Sequence, residues 1–232
     1  MTIRRYTNNN YVGIHRSDLK TYGRVYVGNT LVWETQSALT EIWGTQIVEV
    51  INPTTGRTWM DRNIGATRAA TSSTDSEAYG HLFQWGRNPD GHELRTSGTT
   101  TTLSSTDVPG HGDFILAPDT PYDWRSPQNA LLWQGIIQDG WRLPTDAEWE
   151  EDILSWATDN SAGAYGSVLK LPVAGNRNGS SGSLNVVGLV GFYWSSTVDG
   201  GGSRFLVVGS SLAYTTNSAR ADGFSVRLIK NK

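Results

Sequence analysis

The sequence predicts an α+β protein with a mostly antiparallel sheet. Three observations carry this reading. Short apolar stretches of four to seven residues are separated by turns rich in Gly, among 26 Gly in 232 residues. Two helix-start signatures of the Ser/Thr-x-x-Glu type stand far apart in the chain. The strand-like stretches cluster after the second of them.

The first 45 residues read as a small β module. Arg24–Val27 and Thr30–Trp33 alternate around Gly28-Asn29, a two-residue hairpin signal. So short a segment cannot bury a sufficient core alone, which suits attachment or oligomerisation. The main domain is expected over residues 46–232. It opens with a strand at Ile47–Ile51, the turn Asn52–Gly56 and a strand at Thr58–Met60. Thr74-Asp75-Ser76-Glu77 predicts a capped helix running to Trp85, with Ala78, Leu82 and Trp85 inward. Residues 88–134 read as an ordered loop pinned by Phe114, Trp124 and Trp133. Thr145-Asp146-Ala147-Glu148 predicts a second capped helix with Trp149, Ile153 and Trp156 on one stripe. Strands are expected at 168–173, 184–190, 193–196, 205–208 and 224–229.

Composition excludes several functions. A formal charge of -3 and a pI near 5.8 give no footprint for nucleic acid. No stretch is long and apolar enough to suggest membrane insertion. With no Cys, thiolate chemistry and disulfides are ruled out. The Met1–Arg5 start has no apolar signal core, so the expected site of synthesis is the cytoplasm. Ten Trp, nine Tyr and five Phe supply the apolar area that a 37% hydrophobic content otherwise lacks.

Catalytic and metal motifs are weak. His92-Glu93-Leu94-Arg95-Thr96 starts like a zinc-protease helix but holds Thr96 where a second His is needed. His81, His92 and His111 are too scattered to suggest a shared metal. Asp107, Asp113, Asp119 and Asp123 could offer oxygen ligands to a structural calcium, although turn Asp is the default, and no cofactor is expected. Glu148, Glu150 and Glu151 suit a helix N-terminus. No Ser, His and Asp set has a nucleophile context. Trp141, Trp149 and Trp194 could line a carbohydrate platform, but core burial is the preferred reading.

Five stretches resemble one family. They are Asn52 to Ala66, Tyr79 to Arg87, Trp141 to Trp149, Tyr193 to Thr197 and Gly223 to Arg227. Trp141–Trp149 is similar to the helix start of formylglycine-generating-enzyme-like proteins. The whole pattern resembles the Fibrobacter succinogenes major paralogous domain family, from about residue 47 to the end. The resemblance implies a C-type-lectin fold. It also implies kinship with variable proteins of diversity-generating retroelements, whose C-terminal segment is rewritten by adenine-directed mutagenesis. Secreted relatives carry Cys before the Gly-Trp-Arg-Leu-Pro-Thr motif and after Ser-Val-Arg. Here those places hold Asp139-Gly140 and Leu228-Ile229. The Cys-dependent catalysis of the enzyme branch is therefore not carried over.

That mechanism gives the segment Val198–Asp222 a chemical signature. Changing the two adenines of an AAC codon never yields Lys, Glu, Gln, Met or Trp, and the segment contains none of them. The expected diversified, ligand-binding positions within a variable region of about 191–227 are Phe192, Asp199, Gly201, Gly202, Phe205, Val207, Gly209, Leu212, Tyr214, Thr215, Thr216, Ser218, Ala219 and Asp222. Ser203, Arg204, Leu206, Ala213, Arg220 and Ala221 are expected to form a fixed frame. Strand alternation places Arg204, Leu206 and Val208 inward and Phe205 and Val207 outward. An outward patch of Phe205, Val207, Leu212 and Tyr214 is then the expected binding surface.

The expected function is non-enzymatic recognition of a protein or glycan ligand on a target cell. The expected setting is the virion, as a phage or prophage tail receptor-binding protein joined to other tail or surface-assembly proteins by its N-terminal module. Related display proteins suggest a homotrimer. The alternative is a bacterial cell-surface, lectin-like adhesin of fixed specificity.

Overall fold

A computed structural model describes residues 40–231 continuously, together with the backbone of four earlier strands. The chain divides into two compact units, Met1–Thr40 and Glu41–Lys232. In the first, β1 (Ile3–Thr7) pairs antiparallel with β2 (Asn10–Ile14), and β3 (Arg24–Val27) with β4 (Thr30–Glu34). The turn expected at Gly28-Asn29 lies outside the described residues. The division falls after Thr40 rather than after residue 45, because β5 (Glu41–Ile42) and β6 (Thr45–Gln46) form a hairpin of the second unit. Ile42 and Trp43 pack into that unit's core.

Beyond this hairpin the chain follows its predicted start. β7 (Glu49–Ile51) and β8 (Thr58–Met60) are antiparallel neighbours. Their turn closes through Asn52, whose side-chain oxygen accepts the Thr54 N–H at 2.9 Å.

The predicted helix from residue 74 to Trp85 does not form. Ser76–Ala78 makes one 3-10 turn, and Asp75, not Thr74, caps it. Gly80 stops the helix: its φ is +64°, and a Cβ there would lie 2.3 Å from the Ile64 carbonyl oxygen. The chain then enters β9 (Phe83–Gln84). Gly80→Ala should cost about 2 kcal/mol, from the positive φ and the backbone clash together. Thermal unfolding checks this, and an unchanged midpoint would mean that the close approach relaxes freely.

Residues 88–134 are ordered as expected. β10 (Thr99–Thr100) and β11 (Phe114–Ile115) form a short parallel pair. Phe114, Trp124 and Trp133 are buried. Trp124 Nε1 donates to the Trp85 carbonyl at 2.7 Å, and Trp133 Nε1 to Asn88 Oδ1 at 3.1 Å.

After β12 (Trp141–Arg142), helix α1 spans Asp146–Ile153 with the predicted capping box between Thr145 and Glu148. Trp149, Ile153 and Trp156 share one core cluster, although α1 ends before Trp156. Asp152 accepts the Trp156 Nε1 proton at 2.8 Å and holds that ring in place past the helix end. A second helix, α2 (Ser161–Gly166), was not expected. The predicted strand at 168–173 is irregular, and that at 184–190 contracts to Leu184–Asn185.

β13 (Asn176–Arg177) and β14 (Leu184–Asn185) lead into β15 (Gly191–Asp199), β16 (Gly202–Val208) and β17 (Ala213–Ser218). β18 (Gly223–Phe224) and β19 (Ile229–Lys230) replace the single predicted closing strand. The main sheets run β12-β19-β8-β7, β14-β13-β18-β9 and β15-β16-β17. Apart from β10–β11, every strand pair among the described residues is antiparallel. The fold is α+β.

Two core clusters lie on opposite faces of the β15-β16-β17 sheet. One gathers Trp194, Phe205, Val207 and Phe224 with Trp85 and Trp133. The other gathers Tyr193, Leu206 and Val208 with Trp59, Trp149 and Leu169. Trp141, Trp149 and Trp194 are buried core residues, so none of them is an open carbohydrate platform.

Candidate ligand-binding surface

The hairpin β15–β16 and the edge strand β17 carry ten of the fourteen positions singled out by sequence, with Gly209 and Leu212 in the turn between β16 and β17 and Ala219 and Asp222 just beyond β17. Alternation along β16 is as predicted, but the solvent side is not. Leu206 and Val208 face one cluster, while Phe205 (5% exposed) and Val207 (9%) face the other. The expectation that Phe205 and Val207 point outward fails because a second core covers that face. The Phe205 ring lies 4.6 Å from Phe224 and 5.9 Å from Trp194, which makes it a core residue.

Phe192 is half-buried and stacked on Phe224 at 5.2 Å. Gly202 also departs from expectation. A Cβ there would lie 2.4 Å from the Ser218 carbonyl oxygen, so a side chain would push β17 off β16. Gly209 closes the β16–β17 turn, its N–H donating to the Leu212 carbonyl at 2.9 Å. Asp222 is tied inward: Gly179 N–H donates to Oδ1 at 2.7 Å and Ser218 Oγ to Oδ2 at 2.6 Å. Burial pushes its carboxyl up, against the opposing pull of those two donors.

The remaining positions reach solvent. Leu212 is 55% and Tyr214 46% exposed. Asp199 and Gly201 are exposed at the hairpin tip, and Thr215, Thr216, Ser218 and Ala219 are half-buried along and beyond β17. Beneath them the frame residues Ser203, Leu206, Ala213, Arg220 and Ala221 are buried, and Arg204 is half-buried. Arg220 donates to Ser203 Oγ and to the Gly202 carbonyl, both at 3.2 Å, and lies 4.8 Å over the Trp85 ring. Burial pulls its guanidinium down. Arg204 bridges Asp146 at 3.0 Å and Thr215 Oγ1 at 3.0 Å, tying β16 to both α1 and β17.

Two clefts open beside this segment. One of about 510 Å³ lies between Thr120–Tyr122 and the ends of the hairpin and β17, with Asp199, Asn217, Ser218 and Ala219 in its wall. Another of about 420 Å³ lies between α1 and β17, lined by Glu150, Ile153, Leu154, Arg204, Tyr214 and Thr215. Sequence reasoning missed Tyr122, Glu150, Leu154 and Asn217 as parts of this surface. Asn217 was within reach, since it is the residue an unaltered AAC codon encodes. Tyr122 and Leu154 are brought in by tertiary packing alone. The Tyr122 carbonyl accepts the Ala221 N–H at 3.1 Å, which fixes the 120–122 loop against the segment.

The described residues contain one cluster with metal-ligand spacing, Asp90, His92 and Glu93. Its donor atoms are already engaged. His92 Nε2 accepts the Gln84 N–H at 3.2 Å and Nδ1 meets Asp90 Oδ1 at 2.8 Å. Asp90 Oδ2 accepts from Arg87, and Glu93 Oε2 from two backbone N–H groups. The arrangement is a hydrogen-bonded turn. The four loop carboxylates considered for calcium do not converge: Asp107 pairs with Arg125, and Asp123 lies near Arg220.

Comparison with protein-family models, with curated proteins and with solved structures returned no match. No helix among the described residues is long and apolar enough to cross a membrane.

Proposed function

We propose that this is a non-enzymatic binding protein of C-type-lectin fold whose C-terminal segment is diversified to recognise changing ligands. The observation that carries this reading is the division within Val198–Asp222. Side chains at the hairpin tip, along β17 and just beyond it reach solvent beside two clefts, while buried frame residues hold the strands that present them. Such a surface can change its contacts without changing its core. The mixture of Tyr, Thr, Asn, Ser and Gly also matches paratope chemistry, in which a rigid aromatic anchors and small polar groups adapt. In this reading the protein sits at a phage or prophage tail tip and binds a target-cell surface. Its N-terminal unit serves attachment, and assembly into a homotrimer belongs to the same proposal.

A library test bears directly on it. Asp199, Leu212, Tyr214, Thr216, Asn217, Ser218 and Ala219 are randomised in the full chain, displayed and selected against lysozyme as a model target. Most clones should keep the parental melting behaviour, and selection should yield binders. A control library at Ser203, Leu206, Ala213 and Ala221 should lose the fold. The reading is overturned if the first library unfolds as often as the control, or yields no binder. In the source genome, a neighbouring reverse transcriptase and an imperfect repeat with AAC codons at these positions are the matching expectation.

A further inference from the structure

β17 is the outer strand of its sheet, and its register fixes which backbone groups it leaves free. The Gly209 N–H donates to the Leu212 carbonyl, so residues 209 and 212 form a hydrogen-bonded pair. By antiparallel alternation Val207/Tyr214, Phe205/Thr216 and Ser203/Ser218 are hydrogen-bonded pairs too. Ala213, Thr215 and Asn217 therefore turn their N–H and C=O groups away from β16. Ala213 agrees, since its N–H donates outward to the Asp159 carbonyl at 2.6 Å.

Thr215 and Asn217 have no such cover. Among the described residues no backbone–backbone hydrogen bond reaches them from outside the sheet. Both residues are tied to their neighbours through side chains: Thr215 Oγ1 with Arg204 and Glu150, Asn217 Nδ2 with Asp199. β17 has six residues, no Pro, no Lys and a regular register. Past Ala213, whose outward N–H is covered by the Asp159 carbonyl, it thus carries no proline, lysine or bulge that would block strand addition.

The two clefts described above lie at either end of this free stretch, one at Tyr214 and Thr215, the other at Asn217–Ala219. The charge beside it is one-sided. Glu150, Asp159 and Asp199 are exposed, whereas Arg204 is engaged by Asp146 at 3.0 Å and Asp199 at 3.8 Å.

We infer that the outer edge of β17 binds an extended basic peptide segment of a target protein as an added strand. Thr215 and Asn217 supply main-chain hydrogen bonds, and the cleft beside α1 takes a Lys or Arg side chain. Its aliphatic stem packs on Leu154 and the Tyr214 ring, and its cation meets Glu150. Main-chain bonding is indifferent to side-chain identity. A diversified segment would keep this contribution while its side chains change. The inference rests on the reading of the segment as a ligand surface and names the ligand class.

The test uses the full chain and an array of twelve-residue peptides alternating Lys or Arg with apolar residues. At least one peptide should bind. The best is resynthesised with backbone N-methyl groups at each position in turn. Methylation on the edge-facing parity should weaken binding at least tenfold, and on the other parity little. Asn217→Pro removes an outward N–H and spares the bonds to β16, so it should give a similar loss with an unchanged melting temperature. The N-methyl series needs no protein variant and decides the question if that variant unfolds. The inference fails if no array peptide binds or if methylation has no parity. It also fails if wild type dimerises, Asn217→Pro is monomeric and neither binds peptide, for then the edge serves a second copy. Library binders obtained without any edge effect would sink this inference and leave the proposed function standing.

Discussion

Arg227→Ala should lower the unfolding free energy by roughly 4 kcal/mol, since it removes a fully enclosed donor set and leaves a cavity. Arg227 is 1% exposed, and among the described residues no carboxylate pairs with its guanidinium. Instead Nε and Nη2 donate to Asn63 Oδ1 at 3.1 and 2.8 Å, and Nη1 donates to the Met60 and Leu169 carbonyls at 3.1 and 2.6 Å. One side chain thus ties the closing segment to the strand at Met60 and to the irregular stretch after α2. Burial pulls its pKa down to about 10, partly offset by Tyr193, Asp61 and Asp152. Removing it orphans three acceptors in the core. Arg227→Lys keeps the charge but cannot span a fork of four bonds, so it should recover less than half of the loss. Asn63→Ala attacks the same network from the other side and removes the one acceptor that serves two of the cation's N–H groups. For a domain of this size each kcal/mol moves the midpoint by about 2–4 °C, so Arg227→Ala should melt roughly 10 °C early. A shift below about 3 °C would mean that water or a rearranged partner satisfies those carbonyls.

Arg227 also marks where sequence reading stops. The closing stretch was legible as a strand with Phe224 and Val226 inward, and both are buried. Ser225 and Arg227, on the other parity, are buried as well, because the segment is covered on both sides. Alternation tells which residues share a face; it does not tell whether a face meets solvent. The same gap misplaced Phe205 and Val207.

The helix errors have a different origin. Thr145 and Glu148 begin a helix because no glycine interrupts the turns that follow. Thr74 and Glu77 carry the same local signature, yet Gly80 is needed for a close approach to Ile64, and tertiary contact overrides the local preference. The candidate surface was half legible. Composition pointed to Val198–Asp222, and Leu212, Tyr214 and Asp199 are exposed there. The cleft walls from Tyr122 and Leu154 come from remote parts of the chain, and no local pattern announces them.

Glu148→Ala should cost about 3 kcal/mol at neutral pH, the second largest effect expected of a single polar side chain here. The carboxylate is 8% exposed and joins three parts of the fold. Arg142 meets it through two N–H groups, both at 2.7 Å, Arg57 at 2.7 Å, and the Thr145 N–H at 2.8 Å. The turn after β7, the strand β12 and the start of α1 are therefore clamped by one group. Burial pushes its carboxyl up, but Arg142, Thr145 and the Arg57 charge outweigh that and hold it below the ordinary 4.5. The sign of the pH effect follows. A carboxyl depressed in the folded state contributes stability above its unfolded pKa, and that contribution is lost as pH falls through the folded value. Wild type and Glu148→Gln should accordingly differ most near pH 7 and converge as pH drops below about 4.5. Glu148→Gln retains a side-chain carbonyl for the Thr145 N–H, so its cost at pH 7 should be smaller than that of Glu148→Ala. Denaturant titrations of the three proteins between pH 3 and 7 give the comparison. A gap between wild type and Glu148→Gln that stays constant over this range would mean that the clamp acts through shape and hydrogen bonding alone, with no share from its charge.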